Sequence, residues 1–342
     1  MKAVRIHQHG GPQVLAYENV PEPQIKANEV LLRVRACSLN HLDLWVRAGI
    51  PGVKFNLPHV LGSDIAGEVV SVGELCDRVK PGQRVLLSPG LSCRQCPKCL
   101  EGKDNECRRY TLFGTGAPGG NRELMAAPEY AVIPIPDTMT FEEASAVPLV
   151  FLTAWHMLFT RASLQPGEDV LVLAASSGVG SAAIQLAKLF HCRVIATAGG
   201  DEKMAKAREL GAGEVIDHYR QDISTEVRRL TARRGVDVVF EHVGRATWQK
   251  SMESLAPMGR IVTCGATTGY DVNLDLRFLF SKQYALYGSY MGTMGELHKV
   301  LQFVFRGLLK PVIDRVYPMS EIAAAHDRVE RKEQFGKVVV VP

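Results

Sequence analysis

Three features are missing from this 342-residue sequence, and each absence excludes a class of protein. It has no run of about 18 uninterrupted apolar residues, which a membrane-spanning helix requires. Its first residues, MKAVRIHQHG, contain no apolar stretch like that of a secretory signal. The charge surplus is only +4, from 40 basic and 36 acidic residues, and gives no electrostatic footprint for nucleic acid or an acidic membrane. We therefore expect a cytoplasmic protein that binds neither nucleic acid nor membrane.

The composition is that of a globular protein, with 46% hydrophobic and 22% charged residues. The length exceeds what one ordinary core accommodates, so we expect two domains. Residues 1–136 contain short apolar runs such as EVLLRVRACSL and QRVLLSPG, separated by Gly and Pro. This pattern predicts a strand-rich first domain.

Residues 137–282 alternate between apolar strands and helical segments. DVLVLAA, RVIATA, GEVIDH, VDVVFEHVG and RIVTCGA read as strands, and TWQKSMESLAPMG as one of the helices. Strands that are apolar throughout belong to a parallel sheet covered by helices on both faces. We therefore predict an α/β, doubly wound second domain, which opens with one largely buried helix over 144–158. Residues 283–342 carry a helix, LHKVLQFVFRGLL, and a strand, KVVVVP, and are expected to return to the first domain.

Four cysteines lie close together in the segment CRQCPKCLEGKDNEC, at Cys93, Cys96, Cys99 and Cys107. Four thiolates suit one tetrahedral Zn²⁺ and leave no open coordination position, so such a site is structural. We predict one structural Zn²⁺ per chain in a lobe formed by residues 90–110. The alternative is four free thiols.

The segment VLVLAASSGVGSAAIQLAKL reads as strand, turn of small residues and helix. A dinucleotide needs such a turn, because its pyrophosphate approaches the backbone closely and meets N–H groups at the helix start. The spacing matches a dinucleotide turn weakly, since only the last of three glycine positions is Gly, and an ordinary strand–helix turn is the alternative. The residues assigned to the cofactor here are Ser176, Ser177, Gly178, Val179 and Gly180.

The second strand of this domain ends at Ala198, where an NAD enzyme usually places an acid against the ribose 2′-hydroxyl. Two glycines follow instead, including Gly200, and the next acids suit the first turn of a helix. Lys203, Tyr219 and Arg220 offer donors for a 2′-phosphate. The sequence therefore favours NADP(H) over NAD(H).

The chain resembles the medium-chain dehydrogenase/reductase superfamily from end to end, and is most similar to its quinone-oxidoreductase-like and zinc-binding alcohol-dehydrogenase-like bacterial members. The resembling segments are LNHLDLWVRAG, LPHVLGSDIAGEVVSVG, the cysteine lobe, VPLVFLTAWHML, AASSGVGSAAIQLAK, GRIVTCGATTG and GKVVVVP. The resemblance implies a GroES-like, partly barrelled catalytic domain, a Rossmann domain, and a cofactor held between them. It also implies that the cysteine lobe carries a structural zinc.

Zinc-dependent members hold a second, catalytic zinc with Cys or His from three segments. Here the corresponding positions are Asn40, Ser63 and Leu149. None is an anionic or imidazole ligand, so we predict that no Zn²⁺ is retained there. The alternative is a shifted site that uses His41, Asp43, His59 or Asp64.

The resemblance also suggests residue roles. Thr153 touches the nicotinamide, Asn40 bonds the nicotinamide ribose or the acceptor carbonyl, and His41 contacts the pyrophosphate. Ser63 and Asp64 are candidate proton donors by position, with solvent as the alternative. Ligands bind beyond the carboxyl ends of such strands, so further nicotinamide neighbours are predicted there: His242, Val243, Cys264, Gly265 and Ala266. Ser289, in a later segment, is predicted to reach the cofactor too. Purely structural roles are the alternative for each of these side chains, and for Cys264 the favoured one over a nucleophile.

These observations predict an NADP(H)-dependent oxidoreductase that reduces quinones or α,β-unsaturated carbonyls by direct hydride transfer. The first alternative is a zinc-dependent alcohol dehydrogenase of the same fold. The second is a non-enzymatic nucleotide-binding protein, since a fold does not prove a function. An apolar segment, LDLRFLFSKQYALYGSYMG, predicts a homodimer or homotetramer.

Overall fold

A computed structural model describes residues 1–342, which divide into two compact units. One unit comprises Met1–Leu149 and Thr293–Pro342, and the other comprises Val150–Gly292. The two boundaries between the units, at 149/150 and 292/293, lie later in the sequence than the predicted boundaries at 136/137 and 282/283. The short helix at Phe141–Ser145 belongs to the first unit because it packs on four of that unit's strands and Ser145 O accepts a bond from Ser38 Oγ at 2.8 Å.

The first 149 residues form mostly short strands, with helices α1 (His41–Ala48), α2 (Pro97–Leu100) and α3 (Phe141–Ser145). The strands are β1 (Lys2–Ile6), β2 (Leu15–Asn19), β3 (Glu29–Ser38), β4 (His59–Val60), β5 (Asp64–Val72), β6 (Arg84–Leu87), β7 (Gly90–Leu91), β8 (Thr111–Leu112), β9 (Leu124–Pro128) and β10 (Val132–Pro134). Helical turns of the 3₁₀ type occur at Pro12–Val14, Asp104–Glu106 and Glu129–Ala131.

The predicted single helix over 144–158 is wrong: the structure has α3, then α4 (Pro148–Trp155), then a π-helical segment, His156–Arg161. The capping box of Thr140 and Glu143 starts α3. Pro148 lacks a backbone N–H and its ring clashes with the preceding turn, so a new helix has to begin there.

The second unit continues with strands β11 (Asp169–Val172), β12 (Arg193–Ala198), β13 (Glu214–Asp217), β14 (Val236–Glu241), β15 (Leu255–Thr263) and β16 (Ala285–Gly288). Its helices are α5 (Gly178–Leu189), α6 (Asp201–Leu210), α7 (Ile223–Leu230), α8 (Trp248–Ser254) and α9 (Leu276–Ser281). The sheet order β13-β12-β11-β14-β15-β16, parallel throughout, is that of a dinucleotide-binding Rossmann sheet. The predicted α/β fold class is confirmed.

One boundary in this unit differs from the prediction. The segment 247–259 was expected to be helical throughout, but α8 ends at Ser254 and β15 begins at Leu255. Pro257 explains the change, because the residue before a proline is pushed out of helical geometry into extended backbone.

The segment after residue 292 adds α10 (Met294–Phe305), β17 (Ile313–Pro318), α11 (Ile322–Glu330) and β18 (Lys337–Val341), with a 3₁₀ turn at Met319–Glu321. In the first unit's large sheet the strand order is β10-β6-β5-β3-β18-β17, and β9 also pairs with β3. Strand β18 thus lies beside β3, with Val339 opposite Ser38, while β3 pairs with β5 so that Ser38 lies opposite Asp64. This register brings residues distant in sequence to one point of the sheet. None of the helices is both long enough and apolar enough to cross a bilayer.

Candidate functional site

The four cysteines of the lobe converge. Their sulfur atoms all lie within 4.8 Å of one another. Pro97 opens α2 directly after Cys96, and a 3₁₀ turn ends just before Cys107, so two tight turns bring the thiols together. Four sulfurs at this spacing suit Zn²⁺ and supply all the ligands that a structural zinc site needs.

Hydrogen bonds favour the thiolate form of Cys93, one of the four thiols. The backbone N–H of Gln95, followed by the Arg109 side chain, lowers the pKa of Cys93 from its ordinary 9.0 to about 5. The N–H of Arg109 also donates to Cys107 Sγ at 3.4 Å. These residues fit a bound Zn²⁺, with Cys93, Cys96, Cys99 and Cys107 as its ligands.

A second polar cluster lies in the large sheet and joins Asn40, Asp64 and Lys337. Lys337 Nζ donates to Asp64 Oδ2 at 2.9 Å and to Asn40 Oδ1 at 2.6 Å. Asn40 Nδ2 donates to the same Asp64 Oδ2 at 3.0 Å. Lys337 and Asp64 form an ion pair in which their side chains are 4% and 0% exposed. Burying two charges is costly unless they are paired and hydrogen-bonded, as both are here. We name these three residues the polar triad.

One member of the polar triad, Asn40, is a position at which the sequence predicts a missing zinc ligand, and the neighbours of the triad complete the hydrogen bonding of Asp64. The N–H of Leu149 donates to Asp64 Oδ1 at 2.8 Å, and Ser38 Oγ lies 3.4 Å from Oδ2. Ser63 Oγ donates to the carbonyl of Phe113 at 2.6 Å. The side chains at the three predicted ligand positions are therefore an amide (Asn40), a hydroxyl that already donates to a carbonyl (Ser63), and an apolar leucine (Leu149). This set of side chains does not fit Zn²⁺.

Asp43 fixes the start of α1 next to the polar triad. Its carboxylate accepts the N–H of Asn40 and the N–H of Gly62, both at 2.8 Å. Asp43 thereby ties the backbone of Asn40 to that of Gly62, and the Asn40 side chain bonds Lys337 and Asp64. Burial raises the pKa of Asp43 from 3.8 to about 6. His41 begins the helix, with its ring 6.3 Å from that of Trp45.

In the second unit, the predicted nucleotide turn connects β11 to α5. Ser177 caps the helix, since its Oγ accepts the N–H of Gly180 at 2.9 Å. A Cβ at position 180 would collide with the carbonyl of Ala174, so only Gly fits this turn. The start of α5 thus presents backbone N–H groups of the kind that bind a pyrophosphate. The turn's partly exposed members are Ser176, Ser177, Gly178 and Val179.

The residues predicted to hold the adenosine ribose lie at the tip of β12 and beside it. Gly199 lies against the Tyr219 ring, so closely that a Cβ would collide with it, and Tyr219 is 77% exposed. Gly200 caps α6, and Lys203 lies in the helix's first turn. The guanidinium of Arg220 is already paired with acids, 3.2 Å from Asp201 Oδ1 and 3.4 Å from Asp217 Oδ2.

Several predicted nicotinamide neighbours follow β14 and β15. His242 Nε2 lies 3.0 Å from the carbonyl of Leu173 and 3.4 Å from Ser177 Oγ, and burial lowers its pKa. His242 therefore links the nucleotide turn to the end of β14 as a neutral imidazole. Its neighbour Val243 donates its N–H to Glu241 Oε1 at 2.6 Å.

The remaining predicted nicotinamide neighbours lie after β15, after β16 and in α4. Burial raises the pKa of the Cys264 thiol to about 12, so it is protonated at neutral pH. Gly265 O accepts from Thr263 Oγ1 at 3.0 Å, with Ala266 directly after it, and the N–H of Ser289 donates to Thr263 O at 2.8 Å. Thr153 Oγ1 lies 3.9 Å from Met291 Sδ rather than bonding back to its own helix.

Sequence reasoning missed Lys337. The segment GKVVVVP was assigned only as a final strand, although a lysine that is 3% exposed at the head of an apolar strand is unusual enough to need a buried partner. Sequence reasoning also missed Asn121, which is 1% exposed and leaves both side-chain polar atoms without a hydrogen-bond partner.

Taken together, the Rossmann sheet with its nucleotide turn and the β-rich unit with its four-cysteine lobe define a nucleotide-dependent oxidoreductase. Two family models match the chain: an alcohol dehydrogenase GroES-like domain over residues 26–137 and a zinc-binding dehydrogenase domain over residues 178–306. The chain belongs to the medium-chain dehydrogenase/reductase superfamily, as its motifs predicted.

Relatives with two kinds of name are similar over the full length. The quinone oxidoreductase of Pseudomonas aeruginosa is 32% identical, covering 100% of this chain and 99% of the relative. The NAD-dependent alcohol dehydrogenase of Sulfolobus acidocaldarius is 31% identical, covering 99% of each chain. A crystal structure described as an NAD-dependent alcohol dehydrogenase is 44% identical, with a TM-score of 0.97 and 100% coverage of both chains. These relatives support an oxidoreductase and leave its substrate open.

Proposed function

We propose that this chain is an NADP(H)-dependent oxidoreductase that reduces quinones or α,β-unsaturated carbonyls by direct hydride transfer, without a catalytic zinc. The polar triad carries the proposal. At the place where a catalytic zinc needs Cys or His ligands, this chain has an amide bound to a buried ion pair. Without a Lewis acid, the substrate itself has to stabilise the negative charge that hydride addition creates. Quinones and conjugated carbonyls do so.

The residues of the chain then orient the substrate and stabilise charge, and none of them transfers a proton. When bound, NADPH supplies the hydride. Asn40 offers an N–H to the acceptor oxygen. Ser63 Oγ already donates its hydrogen to Phe113 O, and Asp64 accepts from Lys337, so neither is free to give a proton. We therefore assign the proton that completes reduction to solvent.

Several residues would hold the cofactor. The turn 176–180 would bind the pyrophosphate, together with His41. Tyr219 and Lys203 would contact the adenosine ribose and its 2′-phosphate, because no acid stands at the tip of β12. The nicotinamide would lie against Thr153 and the residues that follow the sheet strands: His242, Val243, Cys264, Gly265, Ala266 and Ser289.

A substrate panel with metal analysis tests the proposal. We expect about one zinc per chain, and faster oxidation of NADPH than of NADH, with quinones or enones as acceptors. Activity confined to simple alcohols and aldehydes, two zinc ions per chain, and loss of activity on chelation would overturn it. Tight NADPH binding without turnover on any acceptor would instead favour a nucleotide-binding protein.

A second candidate is an NAD-dependent alcohol dehydrogenase. The 44% identity to a structure of that description favours it. So does the pairing of Arg220 with Asp201 and Asp217, because a guanidinium bound to two acids is less available to a 2′-phosphate. Comparing the Kd of NADPH and NADH by fluorescence titration distinguishes the two cofactors directly.

We further propose that the chain forms a homodimer or homotetramer through the edge of its six-stranded sheet. Strand β16 is the terminal strand, and α9 before it exposes 63% of Leu276, 55% of Phe278 and 72% of Phe280. An exposed apolar helix beside a terminal strand favours association with another copy. Phe280→Lys should yield monomers by light scattering. Leu100→Lys, at a 76% exposed site, is the matched control and should not. A monomeric wild type would contradict the proposal.

A further inference from the structure

The hydrogen-bonding capacities within the polar triad determine how the Asn40 amide is oriented. A lysine ammonium has only donors and an ionised carboxylate has only acceptors. Oδ1 of Asn40 therefore faces Lys337 Nζ at 2.6 Å, and Nδ2 faces Asp64 Oδ2 at 3.0 Å. The opposite orientation would set N–H against ammonium and carbonyl against carboxylate.

One hydrogen of the Asn40 amide is left over. Nδ2 carries two hydrogens, and its one hydrogen bond within the chain goes to Asp64. Asn40 is also the member of the triad that keeps most surface, 8% against 3% for Lys337 and 0% for Asp64. Of the three residues, Asn40 is therefore the one with the most surface open to a small molecule.

The backbone makes this arrangement rigid. Lys337 begins β18, Asp64 begins β5, and Asn40 follows β3, the strand that pairs with both. Asp43 holds the Asn40 N–H at 2.8 Å and so fixes the backbone from which the amide extends. Groups on paired strands keep their geometry better than groups on loops.

We propose that Lys337 is a positioning residue for reduction: it orients and polarises the Asn40 amide so that the free N–H of Asn40 donates to the acceptor's carbonyl oxygen. The inference rests on the proposed function. Hydride from NADPH bonds to the acceptor carbon, the π electrons move to the oxygen, and NADP⁺ is formed. Asn40 stabilises the resulting oxyanion by hydrogen bonding without giving up a proton, which water supplies afterwards. A pre-oriented donor of this kind is effective because it needs no reorganisation during the reaction.

The central variant is Lys337→Met, whose side chain is unbranched and one atom shorter and which removes the charge and the donors. We expect kcat for enones to fall about tenfold to a hundredfold. The fall should be smaller for quinones of high reduction potential, whose anions need less stabilisation, and the KM for NADPH should stay within about twofold. Lys299→Met, at an exposed position, is the matched control and should retain wild-type rates. A merely structural role would lower all acceptors equally. Rates for Lys337→Met within about twofold of the control would overturn the proposal.

A second variant covers the risk that Lys337→Met leaves Asp64 buried without a partner and fails to fold. Asp64→Asn with Lys337→Met removes both charges. We expect its thermal stability to recover while enone turnover remains low. If turnover recovers together with stability, Lys337 only neutralises Asp64, and the proposal is wrong.

An NMR measurement separates this inference from the proposed function. In protein labelled with ¹⁵N-asparagine, the Asn40 side-chain amide is assigned from its disappearance in Asn40→Asp. Its hydrogens should exchange with solvent at least about tenfold faster in Lys337→Met than in the wild type, whether or not any acceptor is reduced. Unchanged exchange would overturn the positioning role even in an active enzyme. Inactivity of the wild type toward quinones and enones, with the exchange change present, would refute only the proposed function.

Discussion

The cysteine lobe and the polar triad are two ways to organise a polar site within the same unit of the molecule. In the lobe, four soft ligands lie within 4.8 Å of one another and need an ion to hold their charge. In the triad, an ammonium ion supplied by the chain itself holds a carboxylate and an amide. A zinc-bound lobe would depend on the metal supply, whereas the triad is complete once the chain has folded. The comparison contrasts a cluster that could hold a metal ion with one that hydrogen bonds within the chain already hold in order.

The largest expected effect comes from removing one ligand from the lobe. Cys99→Ala leaves three thiols and an open position, so the zinc content should fall from about one per chain to almost none. The lobe should then become sensitive to proteases within residues 90–110, because its polar backbone has little else to order it. Cys192→Ala, outside the cluster, is the matched control and should keep its zinc. Full zinc retention in Cys99→Ala would contradict a four-thiolate site.

Replacing Asn40 of the triad and two nearby residues with Cys and His should create a second zinc site. In Asn40→Cys/Ser63→His/Leu149→Cys we expect a second zinc per chain, because the altered positions then carry the ligands of zinc-dependent relatives. Quinone turnover should fall because the Asn40 donor is lost. Ser63→His alone is the control and should keep one zinc. If the triple variant also keeps only one zinc, the backbone at these positions no longer has the geometry of a metal site.

Asp43 is a buried carboxyl that is not ion-paired, in contrast to Asp64, which pairs with Lys337. The stability it contributes should therefore depend on pH. Burial raises the pKa of this carboxyl from 3.8 to about 6, so between these pH values the folded protein binds the proton more tightly than the unfolded chain. Its contribution to stability is therefore lost as the pH rises from about 4 to about 6, by about 3 kcal/mol in total. The free energy of unfolding of the wild type, relative to Asp43→Asn, should fall by about this amount between pH 4 and pH 7 in urea titrations. A difference that stays constant with pH would contradict the shift.

The smallest effect is expected at the edge of the triad. Ser38 Oγ donates to Ser145 O at 2.8 Å and lies 3.4 Å from Asp64 Oδ2, so Ser38→Ala removes one good and one long contact. We expect a loss of about 1–2 kcal/mol in the free energy of unfolding, with turnover within about twofold of the wild type. A large fall in turnover without loss of stability would mean that the triad extends to Ser38.

The lobe and the Rossmann unit were predictable because their signals are local. Cysteine spacing over residues 93–107 and strand–helix alternation over some hundred residues each lie within one continuous segment. The breaks at Pro148 and Pro257 have local causes too, but the apolar pattern continued across them and favoured longer helices. The polar triad was not predictable in this way. Its members come from β18, β5 and the end of β3, and only strand pairing shows that a lysine in a valine-rich strand meets Asn40.

The place of β18 in the first unit has a consequence for how the protein is made. Lys337 lies 273 positions after Asp64, and the whole second unit is translated between them. While the ribosome is still at work, Asp64 has no counter-ion, and burying it alone would be unfavourable. We therefore expect the first unit's sheet to remain incompletely packed until β18 pairs with β3. The polar triad is therefore completed only when β18 pairs with β3.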